Sequence, residues 1–215
     1  VFCLLEETED GDLSLANRAL LRERTAQSSA LLIGCGLGSR PGTEELVLDL
    51  LSSARCPIVL DADGINIAAR HISIWKTVRA PVILTPHPGE MARLTGLTIP
   101  EIQADRETVA RRFAEEHGVT VVLKGHKTVI ASPGEKVLVN PTGNPGMATG
   151  GSGDVLAGMI ASFLAQGMPA GKAAMCGAFL HGAAGDLAAQ RLSQHAMLPR
   201  DILGELGDLF LNLEK

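Results

Sequence analysis

The chain has no tyrosine at all, and only five Phe and one Trp among 215 residues. That leaves little material for the aromatic platforms on which nucleic-acid bases stack. Positive charge is also short, with 19 Lys and Arg against 24 Asp and Glu. A formal net charge of -5 gives no general attraction to nucleic-acid phosphates or anionic lipid, so neither is expected as a partner. Long apolar runs are missing too. The densest, Val155 to Ala165, contains Gly and Ser and falls well short of the roughly 20 residues of a membrane span, so it reads as a buried helix. The four cysteines, Cys3, Cys35, Cys56 and Cys176, lie too far apart for a CxxC site. They are expected to be reduced buried thiols of a cytoplasmic protein, with no structural metal. The first ten residues carry no basic region, so a signal peptide is not expected there. A chain opening on Val1 and an apolar VFCLL run reads as the remainder of something longer.

Apolar residues make up 46% of the chain, enough for a sizeable core in one domain spanning residues 1–215. Ala30 to Cys35, Pro57 to Ala62, Val82 to Thr85 and Val119 to Lys124 are continuous apolar runs, the pattern of strands buried on both faces. Thr43 to Ala54 carries Leu46, Leu50 and Leu51 on one helical face. Pro100 to Gly118 reads as another helix, with Thr98 and Glu101 as its capping box and Gly118 at its end. Strand alternating with helix predicts an α/β fold, a doubly wound and mostly parallel sheet covered on both sides. Lys127 to Ser132 and Glu135 to Val139, separated by Pro133-Gly134, predict a hairpin. Everything after Gly153 reads as helix rich in Ala and Gly, suited to close packing.

Asn140 to Asp154, NPTGNPGMATGGSGD, runs straight into the apolar helix VLAGMIASFLA. A glycine-rich loop entering a helix presents backbone amides at the positive end of the helix dipole, which suits a phosphate. Asp154 sits in that first turn, where its charge would repel the phosphate unless it takes a proton from the attacking group or has a metal beside it. The spacing is neither a Walker A loop nor a Rossmann fingerprint. Gly34-Cys35-Gly36-Leu37-Gly38 follows a strand and reads either as close backbone approach to a ligand or as a tight turn.

His87, between Pro86 and Pro88, lies at the carboxyl end of the VILT strand, where open α/β sheets bind ligands. Asp61, Asp63 and Asn66 lie past the PIVL strand on the same edge, candidates for substrate or a magnesium shell, with a plain Asp63-Gly64 turn as the alternative. Lys124-Gly125-His126-Lys127-Thr128 reads as a nucleotide-phosphate contact or as a solvated hairpin turn. Cys176, His181, Asp186 and Asp201 read as structural.

GCGLG, VLDADGIN, LTPHPGE, VVLKGHKT and NPTGNPGMATGGSGDVLAG, in this order, resemble the NAD(P)H-hydrate dehydratases of the ribokinase-like superfamily. The resemblance implies a carbon-oxygen lyase that repairs hydrated NADH or NADPH, driven by ADP or ATP with Mg2+. It implies Asp154 as the catalytic base and Gly36, Gly38, His87 and Asp154 as positions facing the hydrate. Lys124, Gly125, His126, Lys127, Thr128 and Gly153 match nucleotide-binding positions. The wording of the last loop resembles bacterial members that use ADP, and a homo-oligomer, a tetramer, is implied. Members usually begin with a strand, a glycine-rich turn and a helix, and the resemblance implies that this chain starts after them. A ribokinase-like kinase of a vitamin precursor and an inactive nucleotide-binding fragment are the competing readings.

Overall fold

The computed structural model describes residues 2–214; Val1, on which the reading of a shortened start leans, lies outside them. Six strands form one sheet: β1 Leu31–Ile33, β2 Ile58–Leu60, β3 Val82–Leu84, β4 Thr120–Leu123, β5 Val129–Ala131 and β6 Leu138–Val139. Their spatial order is their chain order. The first four run parallel and the last two antiparallel, with Leu60 registered on both Ile33 and Leu84.

Side chains alternate across this sheet, and the two sets meet different helices. Ile58, Leu60, Leu84, Val121 and Leu123 join a core shared with α2 (Pro41–Ser53), α3 (Ala62–Arg70), α4 (Pro88–Thr95) and the helices that follow it. Val59, Ile83, Val122 and Ile130 point the other way, into α7 (Ser152–Ala165) and α8 (Ala170–Leu192). Right-handed crossovers in a sheet of sequential order put every connecting helix on one face. The second face is therefore covered by helices that come after the last strand. Small residues let them in: a Cβ on Gly177 of α8 would stand 2.5 Å from Ile160 of α7. α1 (Arg18–Ala26) packs beside α2, and α9 (Pro199–Leu213) covers the end of α8 through Ala184, Ala188, Met197 and Ile202. No described helix is long and apolar enough to cross a membrane.

Three expectations need correction. Pro100 to Gly118 is two helices, α5 (Ile99–Ala104) and α6 (Arg106–His117), because Asp105 leaves the helical region and its carboxylate accepts the Thr108 amide at 3.0 Å. Asp competes for the backbone in this way wherever it can cap a new helix. The Thr98–Glu101 box and the left-handed Gly118 are as expected. The hairpin strands are shorter than predicted, since Lys127 takes φ +56 and the chain is still turning there. The cysteines are all free, but Cys3 is exposed and the other three only partly buried.

Candidate functional site

The carboxyl ends of β1 to β4 deliver four loops to one edge of the sheet, and the center of that edge is charged. Asp61, directly after β2, is 1% exposed. Its Oδ1 accepts the Lys124 ammonium at 2.7 Å and the Thr85 hydroxyl at 2.7 Å. Lys124 comes from the end of β4, and its backbone amide is fixed by the Pro86 carbonyl at 2.8 Å. The same ammonium lies 3.8 Å from Glu90, which is 5% exposed. One cation thus stands between two buried carboxylates, and buried charges persist only when paired in this way. Of the three candidates after β2, Asp61 joins this cluster. Asp63 instead accepts the Gly38 amide at 2.8 Å, and Asn66 accepts Arg93 at 3.0 Å.

Gly34 must be glycine: a Cβ there would lie 1.8 Å from the Asp61 carbonyl oxygen. Gly36 and Gly38 take φ +65 and +77 and are exposed, with open space where a Cβ would go. Asp63 holds the Gly38 end of this loop, which leaves Gly36 presented at the edge of the sheet. His87 is the N-cap of α4. Its Nδ1 accepts the amides of Gly89 at 2.9 Å and Glu90 at 3.3 Å, while Glu90 Oε2 accepts the His87 amide at 2.8 Å. With Nδ1 accepting, the proton belongs on Nε2. The ring is exposed, and its Nε2 lies 3.4 Å from Glu90 Oε1.

The glycine-rich loop is latched onto α8 before it reaches α7. Asp186 accepts the Gly143 amide at 2.9 Å and the Asn144 side chain at 3.0 Å. Asn140 donates to the Ala178 carbonyl, and Thr142 to that of Phe179 at 2.8 Å. Gly182 makes the approach possible, since a Cβ there would stand 2.2 Å from Thr142 Oγ1. Asp186 and Asn140 are thus structural in a specific sense: they set the loop's height over the sheet.

At the loop's end Gly151 adopts φ +92 and α7 begins. Among the described residues, the amides of Gly150, Gly151, Gly153 and Asp154 donate to no protein oxygen outside α7 itself. Unpaired amides at a helix start form the anion cradle expected from the sequence. Gly153 sits over the charged center, where a Cβ would be 3.4 Å from Lys124 Nζ and 3.7 Å from Asp61 Oδ2. Asp154 is exposed and lies next to it. Cys35, Asp61 and Asp154 bring ligand-type atoms within 4.8 Å of one another. Burial first, then the negative fields of Asp61 and Asp154, push the Cys35 thiol up to about 12. It stays a neutral thiol, a poor partner for a hard cation.

Lys124 to Thr128 forms the turn between β4 and β5. Gly125, His126 and Lys127 are exposed, and the Thr128 hydroxyl donates to the Gly125 carbonyl at 3.1 Å. Lys124 sends its ammonium to Asp61 and Glu90, beneath Gly153. Sequence reasoning missed Glu90, Cys35 and Arg106. Glu90 was inside the quoted LTPHPGE run, but nothing in the run alone says that its carboxylate folds back under the histidine. Two surface clefts, beside α6, lie away from this edge.

The model of the NAD(P)H-hydrate dehydratase family matches residues 5–207. The chain is 48% identical over 211 residues to the bifunctional NAD(P)H-hydrate repair enzyme Nnr of Moorella thermoacetica, covering 98% of this chain and 40% of that protein. It is 49% identical over 162 residues to the ADP-dependent (S)-NAD(P)H-hydrate dehydratase of Neisseria meningitidis, covering 74% of this chain and 55% of that one. It therefore spans about half or less of these relatives' lengths. The crystal structure of the Bacillus subtilis ADP/ATP-dependent NAD(P)H-hydrate dehydratase, co-crystallized with ATP/Mg2+, superposes with a TM-score of 0.79 at 34% identity, covering 89% of this chain and 69% of that one. With a family model matched over nearly its whole length, the chain belongs to the NAD(P)H-hydrate dehydratase family.

Proposed function

We propose that the chain removes water from hydrated NADH or NADPH, using ADP as phosphoryl donor. The observation that carries this is the position of Asp154: an exposed carboxylate with no ion-pair partner among the described residues, one residue from Gly153 and against a row of unpaired amides. A carboxylate placed beside a phosphate cradle is useful when it accepts a proton from the attacking group. Asp154 takes the proton of the hydrate hydroxyl as that oxygen bonds to the terminal phosphorus of ADP and the bond to AMP breaks. The ring carbon then loses the phosphate while its neighbor loses a proton, restoring the double bond. The net reaction is hydrate plus ADP to NAD(P)H, AMP and phosphate.

Gly36, Gly38 and His87 face the hydrate in this reading. Lys124, Gly125, His126, Lys127, Thr128 and Gly153 serve the nucleotide, with Lys124 acting through the shape of the site. A magnesium ion fits only in part-hydrated form. Asp61 Oδ1 already carries two donors and Cys35 is neutral, so Asp154, water and the phosphates would hold it. When bound it neutralizes phosphate charge. The ADP-dependent Neisseria relative supports ADP, and the Bacillus structure co-crystallized with ATP/Mg2+ supports ATP with magnesium. A cytoplasmic homo-oligomer remains part of the proposal.

The test is Asp154→Asn on the intact chain with prepared hydrate, ADP and magnesium. Turnover, read as the return of reduced-nicotinamide absorbance with release of phosphate, should fall by about 10²- to 10⁴-fold while ADP binding persists. Near wild-type turnover in the variant would remove Asp154 as the base. A stable phosphoester from the wild type would instead favor the kinase reading.

A further inference from the structure

Arg106, the first residue of α6, reaches across to the turn between β4 and β5 and donates to four of its carbonyls. One terminal nitrogen meets the carbonyls of His126 at 2.6 Å and Lys127 at 3.4 Å. The other meets those of Leu123 at 2.6 Å and Lys124 at 3.1 Å. The planar fork of a guanidinium can satisfy such a set at once; the point charge of an ammonium cannot. Gly125 is shaped to it as well, since its φ of +144 and a Cβ position only 3.1 Å from the guanidinium disfavor any larger residue.

The consequence lies on the opposite side of each peptide. In a trans peptide the N–H points away from the C=O of the same unit. Turning the carbonyls of Lys124, His126 and Lys127 toward Arg106 turns the amides of Gly125, Lys127 and Thr128 away from it. The amide behind the Leu123 carbonyl is that of Lys124, and it does point away, onto the Pro86 carbonyl at 2.8 Å. Of the other three, the Thr128 amide faces the Gly125 carbonyl across the turn, while those of Gly125 and Lys127, among the described residues, donate to no protein oxygen. Positive φ at Gly125 and Lys127 gathers successive amides into a concave cradle of the kind that holds anions.

We infer that Arg106 is a positioning residue for the nucleotide: by drawing four carbonyls to itself it forces the turn's free amides outward to meet the phosphates. It makes no contact with the nucleotide itself. This rests on the nucleotide site proposed above. ADP binding to the intact chain, measured by calorimetry without hydrate, tests the two separately. In Arg106→Lys the affinity for ADP should drop by roughly 10- to 100-fold, the range expected when one or two hydrogen bonds from a charged donor no longer hold the loop. In steady state the KM for ADP should rise while the KM for hydrate and kcat at saturating ADP hold. Guanidinium added to Arg106→Ala should restore ADP affinity, and an equal concentration of ammonium should not. Unchanged ADP affinity in both variants overturns the inference alone. So does a parallel loss in kcat and both KM values that guanidinium does not rescue, because that is the mark of general damage to the fold. A wild-type chain that binds no ADP overturns the site assignment and the inference with it.

Discussion

Replacing Lys124 with methionine keeps the length of the stem and removes the charge between two buried carboxylates. Asp61 would be left with the Thr85 hydroxyl and no cation, at 1% exposure, and Glu90 would lose its cation too. Removing one partner of a buried ion pair typically costs about 3 to 5 kcal/mol, because the remaining charge has no water to return to. For a chain of this size each kcal/mol lowers Tm by roughly 2 to 4 °C, so a fall of about 6 to 20 °C is expected in Lys124→Met. The double variant Asp61→Asn with Lys124→Met removes the nearer of the two orphaned charges and should recover part of that loss, with Glu90 still unpaired. Differential scanning calorimetry of wild type, both single variants and the double variant closes the cycle. If Lys124→Met melts with the wild type, the ammonium is not neutralizing buried charge and belongs to the nucleotide. If the double variant is no better than Lys124→Met, the damage comes from packing.

His181 is 8% exposed, lies 3.4 Å from the Ser152 hydroxyl, and burial pulls its pKa down to about 4 from 6.5. A depressed value means that the unfolded chain takes up the proton first, so stability is complete above about pH 6.5 and is lost progressively toward pH 4, by on the order of 3 kcal/mol. Denaturant titrations across that range should show the loss, and in His181→Gln the slope should shrink; an unchanged slope would assign it to other groups. Gly182→Ala should push Thr142 off α8 and lower ADP affinity with the fold intact, because the clash at 2.2 Å lies under the glycine-rich loop; wild-type affinity in that variant would show that the loop's height is set elsewhere.

The parts of this site that the sequence made legible are those encoded locally. Apolar runs ending in Gly, Asp or Pro announced strands with loops at their carboxyl ends, and one edge collects all of them because the strands are parallel. The glycine-rich loop announced unpaired amides because it precedes an apolar helix with no cap of its own. What escaped is what depends on pairs of residues far apart in the chain. Lys124 and Asp61 are 63 residues apart, and nothing near either in the chain announces their pairing. Arg106 escaped for the same reason. On the sequence it is one charge in a polar helix, and only the placement of α6 against the turn reveals the carbonyls it holds. Asp105 escaped differently. Its break between α5 and α6 is local, but the flanking residues are all good helix formers, so propensity masked a cap.

The distribution of charge separates binding from chemistry. A lysine free to reach phosphates would also be free to pair with Asp154, and a carboxylate tied to an ammonium is a poorer acceptor for a substrate proton. Lys124 is kept out of that role by two buried carboxylates, at 2.7 Å and 3.8 Å. Among the described residues Asp154 is in no ion pair. In the proposed site, phosphate also meets backbone amides at two places, the start of α7 and the turn after β4, whose dipoles do not titrate and do not compete for the base. Backbone dipoles must be aimed, however, and each set is aimed by side chains that touch no ligand: Asp186, Asn140 and Thr142 hold one loop, and Arg106 the other. Substitutions at these holding residues should therefore weaken the nucleotide while sparing the proton transfer, and substitution of Asp154 should do the reverse.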